Sequence, residues 1–236
     1  MHYQAILFDL DGTLLPMALE DFVKAYFGAL TRTLSPLGLR GEAILQPLWD
    51  ATNAMIANPG GKCNADVFWE HFCAATGSER AVLEPVCDEF YATGFHAARA
   101  ATGANPLARE AVRLAHEKAD TVVLATNPLF PMAGQRTRLS WIGLAPEDFD
   151  LVTCYTSDRH CKPNPAYFKD ICQRLSLDPT RCLMIGNDDR EDMACAASCG
   201  MDGYLVTDCR IPWGEQPWTG AMGSFADMVE MLRGLE

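Results

Sequence analysis

The stretch Ala5-Ile6-Leu7-Phe8-Asp9-Leu10-Asp11-Gly12-Thr13 decides the fold class. Its nearly all-apolar start ends at a carboxylate, as in a strand buried on both faces of a parallel sheet; a half-exposed strand would alternate apolar with polar. The signature recurs at 121–125, 151–154, 182–185 and 203–206, each time ending at a polar cluster. Helical segments lie between these runs. Asn105-Pro106 supplies a cap and first-turn pair before Leu107, Ala111, Leu114 and Ala115, and Asn164-Pro165 does the same before Phe168, Ile171 and Leu175. Strand alternating with helix predicts an α/β fold built on an open, doubly wound parallel sheet.

Residues 16–100 break that pattern. Helical periods run through Phe22, Tyr26 and Leu30, through Ile44, Leu48 and Met55, and through Val82, Val86 and Phe90, with no convincing strand among them. The chain is therefore expected to divide into an α/β core, 1–15 with 101–236, and a smaller all-helical lobe, 16–100, that faces the strand ends across a cleft. Aromatics at helical spacing in that lobe read as core rather than as a substrate cage. The Gly/Pro break at 58–62 reads first as a surface loop; turned to the cleft, it would offer Lys62 to an anion. Opening of the lobe is expected to bend the connections near Leu15-Pro16 and 101–103 together.

Composition narrows the function. Lys plus Arg number 19 against 31 Asp plus Glu, a formal net charge of -12, which excludes a surface built to neutralise nucleic-acid phosphates or anionic lipid. Any phosphate must be met by local chemistry. The opening residues carry no basic stretch leading into an apolar run, and no later run approaches the roughly 18 apolar residues that span a bilayer, so a cytoplasmic protein away from membranes is expected. The ten cysteines include no CxxC pair and are expected to be free thiols; Cys195 and Cys199, one helical turn apart, read as packing. The five histidines lack ligand or triad spacing, no G-x-S-x-G offers a serine, and Gly60-Gly61-Lys62 lacks the P-loop spacing.

The residues just beyond each apolar run are the candidates for chemistry, because open α/β sheets bind ligands at the carboxyl ends of their strands. They are Asp9, Asp11, Gly12 and Thr13; Thr126 and Asn127; Lys162; and Gly186, Asn187, Asp188 and Asp189, with Asp192 beyond. Crowded carboxylates repel one another in a low-dielectric cleft, and a divalent cation offsets that repulsion. An oxygen donor set without His or Cys suits Mg²⁺. With the metal, Lys162, the Thr126 hydroxyl and a backbone N–H would receive an anionic phosphate; Pro128 has no N–H, which leaves the Asn127 amide as the local donor.

In order, Asp9-Leu10-Asp11-Gly12-Thr13-Leu14, Thr126, Lys162-Pro163 and Gly186-Asn187-Asp188 with Asp192 resemble the four motifs of the haloacid dehalogenase superfamily, and the helical insertion falls where that family often places a cap. The resemblance implies that Asp9 attacks phosphorus to form an aspartyl-phosphate and that Asp11 protonates the leaving oxygen and later deprotonates water. It implies further that Thr126 and the Asn127 amide hold phosphoryl oxygens, that Lys162 offsets their charge, and that Asp9, Asp188 and the Asp11 carbonyl bind Mg²⁺. Asp192 would orient Lys162 or a metal-bound water. Asn187 departs from the family, many members of which have Asp there. Counting back from Gly200 and keeping the four-residue step to Asp192 selects Asp188, with Asn187 or Asp189 as sharers of the role. The function implied is Mg²⁺-dependent hydrolysis of a small phosphorylated metabolite, with a phosphomutase as the alternative; a receiver-like phospho-acceptor is a more distant one, needing about half this length. No feature of the sequence assigns an oligomeric state.

Overall fold

The computed structural model describes residues 2–214 and 216–235. The first strand, β1 (Tyr3–Phe8), leads into four consecutive helices, α1 (Leu19–Leu34), α2 (Glu42–Ile56), α3 (Asn64–Thr76) and α4 (Arg80–Ala92), and a 3₁₀ segment, Gly94–Ala101. The α/β alternation then resumes with α5 (Ala108–Lys118), β2 (Ala119–Leu124), α6 (Met132–Trp141), β3 (Leu151–Val152), α7 (Ala166–Leu175), β4 (Cys182–Gly186), α8 (Cys195–Ser198), β5 (Asp202–Val206), β6 (Ala221–Gly223) and α9 (Phe225–Gly234). The strands form one all-parallel sheet in the order β3-β2-β1-β4-β5-β6.

Burial explains the unbroken apolar run of β1. Ile6 and Phe8 point into one core with Leu124 and Ile185, while Ala5 and Leu7 point into a second with Met184 and Phe168 on the opposite face. The edge strand β6 has no such signature: Ala221 and Met222 are exposed, so the sequence shows no apolar run there.

Some local readings are corrected. Asn105 and Asn164 accept from the amides of Leu107 and Ala166, two residues on, at 3.2 and 3.0 Å. Both are Asx turns that precede their helices, which begin at Ala108 and Ala166, and so are not N-caps in the sense expected. In α4 the buried stripe is Leu83, Cys87, Phe90 and Tyr91, whereas Val82 is 53% exposed. Lys62 pairs on the surface with Glu70 at 2.5 Å, and it is not a cleft contact.

The inserted helices are fastened to the rest of the chain at several places. The two connecting segments lie side by side, bridged at Met17 and Thr102, with Gly103 N donating to Pro16 O at 2.7 Å. The start of α3 is tied to the loop after β3: Asn64 N donates to Asp158 O (2.9 Å) and Ala65 N to Tyr155 O (2.8 Å). The buried Asn64 side chain also donates to Pro128 O at 3.1 Å. Aromatic packing joins the same two parts, with Tyr26 on Phe130 at 5.3 Å and Phe95 on Trp141 at 5.6 Å between ring centroids. No described helix is long and apolar enough to cross a membrane, and all ten cysteines are free.

Candidate active site

The chain builds outward from β1 to β2 and β3 on one side and then crosses to β4, so strand order reverses between β1 and β4, which opens a crevice beyond their carboxyl ends. Asp9 enters it directly from β1, its amide held by Ile185 O at 2.9 Å. Lys162 Nζ reaches the same point and donates to Asp9 Oδ1 at 2.9 Å and to Asp192 Oδ1 at 2.6 Å. All three side chains are nearly inaccessible to solvent. Burial pushes the Asp9 carboxyl up to about 7 against the opposing pull of Lys162, with Asp192 and Asp11 adding to the rise. Burial also works against the charge on Lys162, but Asp192 and Asp9 outweigh it and hold the ammonium well above the ordinary lysine range.

Asp192 arrives through a wide π turn, Asp189–Ala194, in which Met193 N donates to Asp188 O. Its Oδ2 accepts from the amides of Asn187 and Asp188, both at 3.0 Å. Gly186 leaves the necessary room, since a Cβ there would collide with the Asp192 carboxylate. On the facing loop, Gly12 has φ +88° and lies against the Asn187 amide group. The Thr13 hydroxyl sits between Asp9 Oδ2 (3.3 Å) and Asn187 Oδ1 (3.0 Å), and its single proton serves one of them at a time.

Thr126 and Asn127 lie at the end of β2, beside Asp9. The Thr126 carbonyl is fixed by Thr153 Oγ1 (2.6 Å) and Tyr167 OH (2.9 Å), while its hydroxyl and the Asn127 amide have no acceptor among the described residues. The Asn127 side chain accepts from Lys162 N at 2.8 Å and donates to Glu191 at 2.8 Å. Glu191, to which the sequence assigned no role, is pushed up to about 7 by burial, with Lys162 opposing.

The acids after β4 separate by partner. Asp188 lines the cavity and caps the π turn through Oδ1, which accepts from the amides of Arg190 and Glu191 at 2.7 Å each. Asp189 is turned away: its carboxylate takes a bidentate pair from Arg210 (2.9 and 2.8 Å) and the amides of Trp213 and Trp218. Arg210 accordingly holds that carboxyl below its ordinary range. The Asn187 side chain is committed to Thr13 and, through Nδ2, to Cys209 O at 2.7 Å.

Arg138 is the residue that sequence reasoning missed. It is fully buried on α6, stacked 4.1 Å from the Phe130 ring centroid, and it donates to Asp11 Oδ2 and to Gln135. Asp11 Oδ1 and Arg138 Nε are left buried without a partner. The one available signal was the i, i+3 spacing of Gln135 and Arg138, which places both on one helix face.

Among the described residues no three acidic, histidine or cysteine side chains converge as a preformed metal cluster. The oxygens that could face a cation here include the Asp9 and Asp188 carboxylates, the unpartnered Asp11 Oδ1 and the Asp11 carbonyl, which accepts no hydrogen bond among the described residues. Five carboxylates line this end of the cavity (Asp9, Asp11, Asp188, Glu191 and Asp192), with Lys162 as their cation and Arg138 behind Asp11. A surplus of negative charge with oxygen-only donors fits a hard divalent ion.

The cavity holds about 310 Å³ and extends from these acids into the inserted helices. Phe22, Tyr26, Phe27, Phe68, Trp69 and Phe72, expected to be core, are core and cavity wall at once.

Comparison with known proteins agrees with this fold. Over its full length the fold is similar to a 2-haloacid dehalogenase from Pseudomonas syringae pv. Tomato DC3000 (19% identity, 98% of each chain covered, TM-score 0.64). It is also similar to a predicted phosphoglycolate phosphatase from Haemophilus somnus 129PT (19% identity, 98% of each chain, TM-score 0.58). A third similar structure is the HAD-hydrolase YfnB from Bacillus subtilis, bound to magnesium (18% identity, 99% of this chain and all of that one, TM-score 0.60). Among curated proteins none is a significant sequence match. A family model described as haloacid dehalogenase-like hydrolase matches residues 3–200, and with the fold and the strand-end acids already in place, the chain belongs to the haloacid dehalogenase-like hydrolases.

Proposed function

We propose that the chain is a Mg²⁺-assisted phosphohydrolase that cleaves a phosphate monoester of a small molecule by way of an aspartyl-phosphate on Asp9. The observation that carries this reading is the buried Asp9 carboxylate held by Lys162, with the Asp11 carboxyl two residues on and one of its oxygens uncommitted. Asp9 attacks phosphorus, forming an Asp9–O–P bond as the P–O bond to the alcohol breaks, and Asp11 gives a proton to the departing oxygen. Asp11 then takes a proton from water, which breaks the acyl phosphate and returns Asp9. Lys162, the Thr126 hydroxyl and the Asn127 amide supply positive charge and N–H or O–H donors to the phosphoryl oxygens. Asp9, Asp188 and the Asp11 carbonyl would hold Mg²⁺, which supplies charge neutralisation at the phosphoryl group when bound. The helical insertion, 16–100, covers the site and the α/β core, 1–15 with 101–236, performs the chemistry. Free thiols and net negative charge suit a reducing cytoplasm and a small-molecule partner rather than nucleic acid.

Asp11 favours an ester over a halide as substrate, since a halide leaves without a proton and an alkoxide does not. The test uses Asp9→Asn and Asp11→Asn. Asp9→Asn should form no phosphoenzyme. Asp11→Asn with an aryl phosphate should give a phenolate burst, hydroxylamine-sensitive phosphate on Asp9 and turnover slowed roughly 10²–10⁴-fold. Full turnover in excess EDTA, steady wild-type turnover of an alkyl phosphate by Asp11→Asn, halide release from haloacids in place of phosphate release, or an isomerised sugar phosphate as product would each refute this assignment.

A further inference from the structure

We infer that the alcohol released by this enzyme is apolar and bulky, an arylalkyl or medium-chain aliphatic alcohol rather than a sugar or polyol. The inference rests on the phosphohydrolase reading above and adds the substrate class.

The cavity that begins at Asp9 continues into the inserted helices, and its chemistry changes abruptly on the way. Every charged side chain among its described lining residues belongs to the phosphate end, while ten of the lining residues are aromatic. The helical end offers few polar groups, and of these the Trp69 indole N–H is buried without a partner. Tyr26 and Tyr91 share a hydrogen bond at 2.6 Å, and the Thr52 hydroxyl donates to Leu48 O at 2.8 Å. A sugar placed here would bring more hydroxyls than these few free groups can meet, and each unpaired buried hydroxyl works against binding. An apolar chain or ring meets no such cost.

Exposure points the same way. Of the seven large exposed hydrophobics among the described residues, four (Leu19, Trp49, Ile56 and Ile211) line this cavity. Exposed apolar side chains gathered along one cavity are characteristic of a binding surface. Leu19 and Ile211 flank the acids, Ile211 N donating to Asn187 O, while Trp49 and Ile56 lie on α2, so apolar side chains border the cavity from the phosphate end to the inserted helices. At about 310 Å³ the space lies near the lower bound of small-molecule sites, roughly 300–1,000 Å³. A two- or three-carbon phosphate would leave most of it empty.

The experiment is a series of primary alkyl phosphates from propyl to heptyl with 3-phenylpropyl phosphate, set against glycerol and erythritol phosphates, with phosphate release as readout. The kcat/KM should rise about fourfold per added methylene, the gain from burying one CH₂, until the cavity is filled. Trp49→Gln changes a rim residue that is 44% exposed, so folding is not at stake; it should lower the heptyl-to-propyl ratio of kcat/KM at least tenfold. Independently of turnover, 3-phenylpropanol should bind saturably to the wild-type enzyme by calorimetry and less tightly to Trp49→Gln. Phosphate release that is flat across the series, or faster from the polyol esters, would overturn the inference and leave the phosphohydrolase reading standing. Binding of the alcohol without phosphate release from any ester would overturn the phosphohydrolase reading, and with it the substrate class, while the apolar cavity would remain.

Discussion

Arg138 shows how a side chain far along the sequence sets the geometry of a motif at the start. Asp11 sits on a short loop, and the residue that fixes its carboxylate comes from α6, fully buried behind it. Removing one member of a buried ion pair leaves the other charge uncompensated. Arg138→Met should therefore lower unfolding free energy by about 3 kcal/mol in a denaturant titration. Arg138→Lys should recover only part of it, because a lysine cannot reproduce the guanidinium fork that also holds Gln135. In turnover, Arg138→Met should slow alkyl phosphates far more than the burst from an aryl phosphate, as expected of a residue that positions a proton-transfer group. Combined with Asp11→Asn, its stability cost should fall short of the sum of the single changes. Additive costs would show that the two residues act separately.

The element with the greatest consequence for the site is the π turn after β4. Three consecutive polar residues leave the strand, and the turn sends them in different directions: Asn187 to Thr13 and Cys209, Asp188 to the cavity, Asp189 to Arg210 and the amides of Trp213 and Trp218. Neighbouring acids should then fail differently. Asp188→Asn should weaken Mg²⁺ binding by at least tenfold in a calorimetric titration, with little change in melting temperature, the size of effect seen when a ligand or its support is altered. Asp189→Asn should leave the Mg²⁺ isotherm in place and loosen its hold on Arg210, Trp213 and Trp218, at a cost of up to roughly 3 kcal/mol for a buried, paired charge. If the two substitutions exchange these effects, the assignment of Asp188 to the metal is wrong.

For the whole molecule, the question is how freely the inserted helices move over the core. The two connections, bridged at Met17 and Thr102 and by Gly103 N donating to Pro16 O, lie side by side. A third attachment opposes free rotation, however. Asn64, completely buried, joins the start of α3 to Pro128 and to the loop after β3, and it also accepts from Asn58 at 2.8 Å. Opening of the insertion as one body would have to break these bonds together. In hydrogen-exchange mass spectrometry, Asn64→Ala should raise exchange at 58–66 and 154–162 jointly, while β1 and β4 keep their protection. A rise confined to 58–66 would mean that the third attachment does not couple the two parts. Tungstate binding to the wild-type protein should alter the two connecting segments less than it does in Asn64→Ala, where the constraint is gone.

What could be read from sequence alone follows from local physics. A strand buried on both faces must be an unbroken apolar run, so β1, β2 and β4 announce themselves, and with them the acids, threonine and lysine that follow. Asp9, Thr126, Lys162, Asp188 and Asp192 therefore come to one crevice as their positions implied. Other features left no such trace. The buried polar face of α6, with Gln135, Thr137 and Arg138, looks in sequence like a solvated one, because what makes it internal is a partner more than a hundred residues away. The different fates of Asn187, Asp188 and Asp189 depend on the geometry of the π turn, which leaves no mark in the sequence. The apolar wall of the cavity was legible as a set of helical stripes but not as a surface, since a stripe reports only that a side chain avoids water. Whether it meets another side chain or the space for a substrate is decided when helices from one part of the chain are set against strand ends from another.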